Sequence, residues 1–479
     1  SVRIKEKRFH NYYTHRYGFV NFETAESAAA ALCCTHHMIS NSRIKIKAAN
    51  SWKQPNIADT SILMLNDDCL FHIFSFLSLK QQVMLSTLCD RFKNILEMIF
   101  RTKKALYVDF EENLTFMEIR QICHSVGHLI QEVHITFLTS SDTRLLNLIE
   151  HSCRELRWLE MKHVRNQKPF IRRLSRSFTH LTKVELWTCF ITDNDCFQLS
   201  KLSELEFLNI GCNSELTGKY LADFPKLVAL DISECYNIQS KPFFELCSRN
   251  RNLKALNICY CSKLNRKNFY ELAGQEHLEK LVISTRYSTD ELSPIADLKN
   301  LKELEIRKTG TAPQNSLFEE LARKSSLVTL VMSGRILNET NKRFILQMKS
   351  IKELEIICDN ELDDEYLGEL SAMPELTSLN IEECSSFCNQ GLIKLFSKPN
   401  KLEHVYMTYC RYINERALDP IVKKMKEAKR TTPCIFYVFD TRIPLSITET
   451  DKYKENSSLL QLSFKRRRFA NCVDVMQKF

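Results

Sequence analysis

One six-residue phrase, Leu-x-x-Leu-x-Ile with apolar replacements, returns twelve times between residues 130 and 407. It reads LRWLEM from Leu156, LTKVEL from Leu181, LEFLNI from Leu205, LVALDI from Leu227, LKALNI from Leu253, LKELEI from Leu301 and LTSLNI from Leu376. Successive copies start 22 to 26 residues apart, and the faintest, IQEVHI, opens the series at Ile130. Apolar residues at the fourth and sixth places predict a short strand with one buried face. The dozen residues that follow, such as KPFFELCSRNRN, space their apolar side chains as a helix does. One strand and one helix cannot bury their apolar faces alone, so the units must stack into a curved solenoid with a shared core.

The pattern resembles the leucine-rich repeat. The expected class is therefore α/β, a solenoid with parallel strands inside and helices outside, assigned to residues 105–440. Cysteines keep its register: Cys189, Cys235, Cys261, Cys384 and Cys410 stand eight places after the first residue of their units, with Cys212 and Cys358 one place earlier. The resemblance makes this the place of an Asn or Cys that turns inward and bonds neighbouring backbone, and all seven are read as buried packing. No CxxC pair occurs among the 19 cysteines, so no metal and no cofactor is expected.

Residues between the core-facing ones of each strand project to the concave side. Trp158, Trp187 and Phe207 crowd the first units, with Glu160, Lys183, Glu185 and Asp231 beside them. Glu303, Glu305, Glu353 and Glu355 fall in the later units, together with Arg307, Glu382 and Tyr406. The expectation is a substrate surface with aromatic anchors at Trp158, Trp187 and Phe207. The carboxylates of the middle units then form an acidic wall suited to a Lys/Arg-rich partner.

Just ahead of the repeats runs LNDDCLFHIFSFLSLKQQVMLSTLCDRFKNIL, residues 65–96. Its apolar spacing predicts two short helices, one over Leu70, Ile73, Phe74 and Leu77, capped by Asn66 or Asp67, the other over Val83, Met84, Leu88, Phe92 and Ile95. A hairpin this small leaves an apolar face exposed, which marks a partner surface. The segment resembles the F-box, placed at residues 61–104, with matches at Leu65, Leu70, Ile73, Phe74, Leu77, Leu79, Val83, Leu88 and Phe92. Asn66 stands where that family prefers Pro, and Asp90-Arg91 shifts its usual basic residue by one. The resemblance implies that these nine residues clasp a Skp-family adaptor. Through it the chain would reach a cullin–RING ligase of the SCF type, as the non-catalytic subunit that receives a protein substrate for ubiquitination and degradation.

At the front, HRYGFVNF, then TAESAAAALC and RIKIKAA, resemble the latter half of an RNA-recognition motif, assigned to residues 1–52. The resemblance makes Tyr17 and Phe19 its base-stacking aromatics and gives His15 the basic place. Only about 14 residues precede this segment, fewer than a first strand and helix need, so either the motif continues ahead of the chain or it is a remnant.

Charge supports the same division. Residues 1–60 hold 9 Lys/Arg against 4 Asp/Glu, residues 423–479 hold 13 against 6, and the overall +9 leaves −3 for the body between. Any contact with RNA is thus expected at the ends. Residues 441–479 lose the repeat pattern and carry Lys465-Arg466-Arg467-Arg468, the expectation being a basic, mobile tail with a weak nuclear-import signal. No apolar run is long enough for a transmembrane helix, and no HExxH, P-loop or GxSxG occurs. A non-enzymatic role without membrane contact, in cytoplasm or nucleus, follows. The competing readings are an RNA-binding regulator and a repeat scaffold outside any ligase.

Overall fold

The computed structural model describes residues 2–6, 16–20, 31–32, 37–39, 42–44, 62–108, 114–136, 144–165, 167–284, 292–307, 315–324 and 326–465. The chain divides into two units, residues 1–70 and 71–479. In the first, β1 (Val2–Glu6) pairs antiparallel with β2 (Arg16–Val20), and β3 (His37–Ile39) with β4 (Ser42–Ile44). Tyr17 and Phe19 fall in β2, in register with Lys5 and Arg3. His15 lies outside the described residues.

The second unit is organised by a fifteen-stranded parallel sheet. Its strands run β5 (Ala105–Val108), β6 (Glu132–Thr136), β7 (Trp158–Lys162), β8 (Lys183–Trp187) and β9 (Phe207–Asn209). They continue as β10 (Ala229–Asp231), β11 (Ala255–Asn257), β12 (Lys280–Ser284), β13 (Glu303–Arg307) and β14 (Thr329–Ser333). The last are β15 (Glu353–Ile357), β16 (Ser378–Asn380), β17 (His404–Tyr406), β18 (Cys434–Tyr437) and β19 (Leu460–Ser463). Spatial order follows chain order from β5 to β19, as a solenoid requires and as the repeat pattern predicts.

Strand length follows from one position. Where the middle concave place holds Asn or Asp, its side chain accepts from the backbone N–H two residues on: Asn209 from Gly211 at 3.0 Å, Asp231 from Ser233 at 2.9 Å, Asn257 from Cys259 at 3.1 Å and Asn380 from Glu382 at 3.0 Å. That bond turns the backbone out of the ladder, and β9, β10, β11 and β16 are all three residues long. With Glu or Val there, as in β7, β8 and β12 to β15, strands reach five.

The cysteine ladder is real but has five thiol rungs. Cys189, Cys235, Cys261, Cys384 and Cys410 are buried and donate to the carbonyls of Met161, Ile210, Ile232, Ile356 and Ile381 at 3.1–3.3 Å. Burial pushes the Cys189, Cys235 and Cys384 thiols up to about 12, so the protons needed for donation stay in place. Cys212 and Cys358 correct the expectation. Both adopt a left-handed backbone, φ 59° and 57°, and are only half-buried. The rung in those units belongs to the next residue: Asn213 donates to Leu186 O at 2.9 Å, and Asp359 accepts from Ile336 and Leu337 N–H at 2.7 Å.

Three helices precede the sheet, over Asp67–Ser75, Leu79–Ser86 and Asp90–Lys103. Asn66 caps the first through Cys69 N–H at 2.8 Å, and a reciprocal Ser78–Gln81 capping box opens the second. The single helix expected over Val83–Ile95 is instead two, because Ser86 and Thr87 turn their hydroxyls back onto the Val83 and Met84 carbonyls and end the helix. The third helix buries Phe92, Ile95, Leu96, Ile99 and Phe100. Val83, Leu96 and Phe100 belong to the same continuous core that runs on through every repeat to Leu460. The second and third helices therefore also cap the open end of the solenoid, whose first turn would otherwise expose its apolar interior.

The far end corrects a third expectation. The segment from 441 is not without structure as far as 465: it forms a helix at Asp451–Asn456 and then β19, which pairs with β18 from Cys434↔Leu460 onward. CIFY of β18 is thus the penultimate strand. Pairing along an edge is satisfied by backbone groups alone, so it leaves no repeat signature. Arg466, Arg467 and Arg468 lie outside the described residues. Among the described residues no helix is long and apolar enough to cross a membrane, and no His/Cys/Asp/Glu group of three or more is placed to hold a metal.

Candidate functional site

Two surfaces carry the residues singled out from sequence. On the helical hairpin, Ile73 is 39 % exposed and Leu88 68 %, Leu65 is also exposed, and Leu77 and Leu79 are half-buried. Leu70, Phe74, Val83 and Phe92 are buried and hold the hairpin together rather than facing a partner. Phe74 meets Phe92 edge-on at 5.0 Å, and buried Gln82 ties the first two helices by donating to Phe74 O and Leu77 O. The outward face also includes Phe76, which the sequence reading left out, and Met84, which it placed on the second helix but not among the adaptor contacts; they are 65 % and 59 % exposed. Helix periodicity alone carried no sign of which side of so short a helix would pack inward.

On the sheet, strand parity places every expected residue on the concave side, but it does not show what each one meets there. The first cluster is built on β7, β8 and β9. Lys183 Nζ lies 3.9 Å from the centre of the Trp158 ring and 4.3 Å from that of Phe207, and 3.2 Å from Glu185 Oε1. The cation is clamped between two aromatic faces and a carboxylate. Glu160 is engaged by His134 and by Lys162. Burial alone would raise its carboxyl, yet those hydrogen bonds hold it at about 2. His134 stacks on Tyr107 at 4.5 Å and meets Trp158 edge-on at 4.6 Å. Phe207 is only 6 % exposed. Trp187 lies across Gly211, where any Cβ would overlap its ring. These rings are consumed by the protein's own groups and do not stand open as anchors.

The expected acidic wall is partly neutralised from within. Lys280 of β12 pairs with Glu303 at 2.9 Å, and Arg307 pairs with Glu305 at 2.6 Å. Glu353 is exposed and accepts from Thr329 at 3.4 Å, while Glu355 accepts from Asn380 at 3.2 Å. Between the clusters, Asp231 is wholly buried. Burial pushes its carboxyl up to about 7, against the pull of bonds from Ser233 and Asn257 and with a further push from Glu185.

A second aromatic cluster occupies β17 and β18, and of it the sequence reading named Tyr406 alone. Tyr406 and Tyr437 stack with centres 4.2 Å apart and planes 11° from parallel. His404 lies 6.0 Å from Tyr437, whose hydroxyl is 3.4 Å from His404 Nδ1. Both tyrosines and His404 are half-buried. Beside them Asn380 donates from one amide nitrogen to Glu355 and, at 3.3 Å, to Glu382. Thr408, buried next in line on the same row, has a hydroxyl with no hydrogen-bond partner. The sequence marks PCIFYVF, 433–439, as a final strand of the stack, and its alternation Ile435, Tyr437, Phe439 was the available signal for Tyr437.

Comparison with known proteins bears on the fold and the hairpin. No curated protein matches the chain. Solved structures with a similar course include an internalin from Listeria monocytogenes, at 16 % identity and a TM-score of 0.39, covering 72 % of this chain and 89 % of that one. Rad7 in its complex with Elc1, from yeast, is 18 % identical with a TM-score of 0.43, covering 73 % and 88 %. A leucine-rich-repeat protein of Leptospira interrogans is 14 % identical with a TM-score of 0.35, covering 73 % and 98 %. Residues 62–104, which hold the three helices ahead of the sheet, match the F-box domain family.

Proposed function

We propose that this chain is the substrate-receiving subunit of an SCF-type cullin–RING ubiquitin ligase. Its F-box captures a Skp-family adaptor, and the inner face of the solenoid holds a protein target for ubiquitination and degradation. The observation that carries this reading is the F-box match over residues 62–104 on a hairpin that turns Ile73, Phe76, Met84 and Leu88 outward. Apolar side chains this exposed are each worth about 1.5–3 kcal/mol when a partner buries them. Because the second and third helices of the F-box share one core with the repeats, a captured target is held close to the adaptor. That raises the effective concentration of its lysines at the conjugating enzyme without any catalytic group on this chain. Work in cytoplasm or nucleus, and an RNA contact through Tyr17 and Phe19, belong to the same proposal.

The test is adaptor capture by a Phe76→Asp/Leu88→Asp variant. Both side chains are mostly exposed, so the solenoid should melt as the parent does while co-purification with a Skp adaptor is lost. A variant that still captures the adaptor would sink the assignment. RNA binding is checked separately by crosslinking a Tyr17→Ala/Phe19→Ala variant, in which the contact should disappear.

A further inference from the structure

Where the chain enters β17 and β18, two loops enclose a cavity of about 200 Å³. Lys398 lines it from the first loop, and Lys424, Lys429 and Arg430 line it from the end of the helix Leu418–Glu427 and the loop beyond. Thr431 and Thr432 stand beside them, and no Asp or Glu is among the lining residues. Nearby lysines are ion-paired, Lys401 with Glu375 at 2.7 Å and Lys452 with Asp419 at 2.5 Å. Among the described residues none of the four cations of the cavity is so paired. Arg430 is moreover fixed, donating to Thr432 O at 2.8 Å, to Asn400 O at 3.1 Å and to Leu402 O. Carbonyls orient a guanidinium but leave its charge uncancelled. Lysines at a helix C-terminus ordinarily meet its last carbonyls. Here the backbone does so: Lys424 O, Met425 O and Lys426 O accept from Ala428, Arg430 and Lys429 N–H at 2.9–3.0 Å. Lys429 makes that turn in a left-handed backbone, φ 53°, where glycine is the unstrained choice. The ammonium groups are therefore not needed to close the helix.

We infer that this cavity is a binding site for a phosphate monoester, met by Lys398, Lys424 and Lys429 beside the fixed Arg430. The site goes beyond the ligase reading and does not rest on it. A phosphate monoester brings about two negative charges and three strong acceptor oxygens, which suits several cations lining one cavity. The Thr431 and Thr432 hydroxyls can donate without adding negative charge. A carboxylate brings a single charge and would leave most of the cations unmatched. A nucleic-acid strand carries one charge on each phosphate and calls for cations strung along a track. The cavity is also smaller than the roughly 300–1,000 Å³ of pockets for drug-sized ligands, so it suits one compact group. A phosphorylated side chain and a small phosphorylated molecule present the same group to it.

The experiment uses the full chain and two probes. A fluorescein-labelled phosphothreonine peptide flanked by glycines is read by anisotropy, with its glutamate counterpart beside it, and glycerol phosphate is titrated by calorimetry. At least one phosphate probe should bind, and Lys398→Ser/Lys429→Gly should weaken it by about tenfold. That variant should melt as the parent does, since Lys398 and Lys429 are exposed and glycine accepts the left-handed backbone. Lys398→Arg/Lys429→Arg, which keeps both charges, should retain binding. Tighter binding of the peptide identifies a phosphorylated side chain as the source, tighter binding of glycerol phosphate a small molecule, and either upholds the site. Four results would overturn it: no binding of either phosphate probe, equal binding of the glutamate peptide, indifference to Lys398→Ser/Lys429→Gly, or tighter binding of a single-stranded RNA oligomer through the same lysines.

Discussion

The first and last aromatic clusters of the concave wall are built from similar residues in different arrangements. At β7 to β9, rings, carboxylates and lysines close on one another, with Lys183 held by Trp158, Phe207 and Glu185. At β15 to β18, Tyr406 stacks on Tyr437, and Glu355 and Glu382 both accept from the Asn380 amide. Between them Asp231 shows a third arrangement, a buried carboxyl held toward its neutral form by burial. A carboxylate turned into a half-dry groove must meet a cation, a proton or a donor amide. Which of these it meets decides how strongly the place stabilises the fold.

The comparison breaks most readily at Lys183. Glu185 is fully buried and burial already pushes its carboxyl upward, with Lys183 pulling the other way. Lys183→Ala should lower stability to urea by about 3–5 kcal/mol, since it strands a buried charge. Adding Glu185→Gln should restore much of the loss. A change below about 1 kcal/mol in the single variant would show that the first cluster is not closed in the sense argued here.

Asp231 sharpens the comparison through pH. A carboxyl whose folded pKa is raised, here to about 7, binds its proton more tightly folded than unfolded. Its ionisation therefore opposes folding: the contribution is intact below the ordinary carboxylate range and is lost as pH rises toward 7. Stability should fall by roughly 3 kcal/mol between pH 5 and pH 8, and Asp231→Asn should flatten that decline. Glu160, held at about 2, is ionised throughout this window and adds no slope. A profile equally steep in the variant would place the titration elsewhere, with Glu185 the next group to test.

The smallest effects on stability should come from the last cluster. Tyr437 is half-buried, and Glu355 accepts from the Asn380 amide at 3.2 Å. Tyr437→Ala should cost about 1 kcal/mol or less of stability, and Glu355→Gln should stay within about 0.5 kcal/mol. If either destabilises as strongly as Lys183→Ala, the second cluster is as tightly closed as the first.

Much was legible beforehand because it depends on period alone. A 22-to-26-residue repeat dictates stacking, and alternation within each strand puts Trp158, Glu303 and Tyr406 on one wall whatever their neighbours. The hairpin's apolar spacing was equally plain, but its inward set, Leu70, Phe74, Val83 and Phe92, could not be told from its outward set.

By itself, then, the sequence determined the solenoid, the F-box ahead of it, the face each strand residue takes and the five thiol rungs, all consequences of spacing along one chain. Tertiary structure alone decided which carboxylates keep a cation. Lys183 meets Trp158 and Phe207 across neighbouring strands 25 and 24 residues away, and Lys280 reaches Glu303 the same way. It also decided that Cys212 and Cys358 stand out of the ladder and that residues 460–463 complete the sheet. These outcomes rest on lateral distances between repeats and on local backbone handedness, neither of which a periodicity contains.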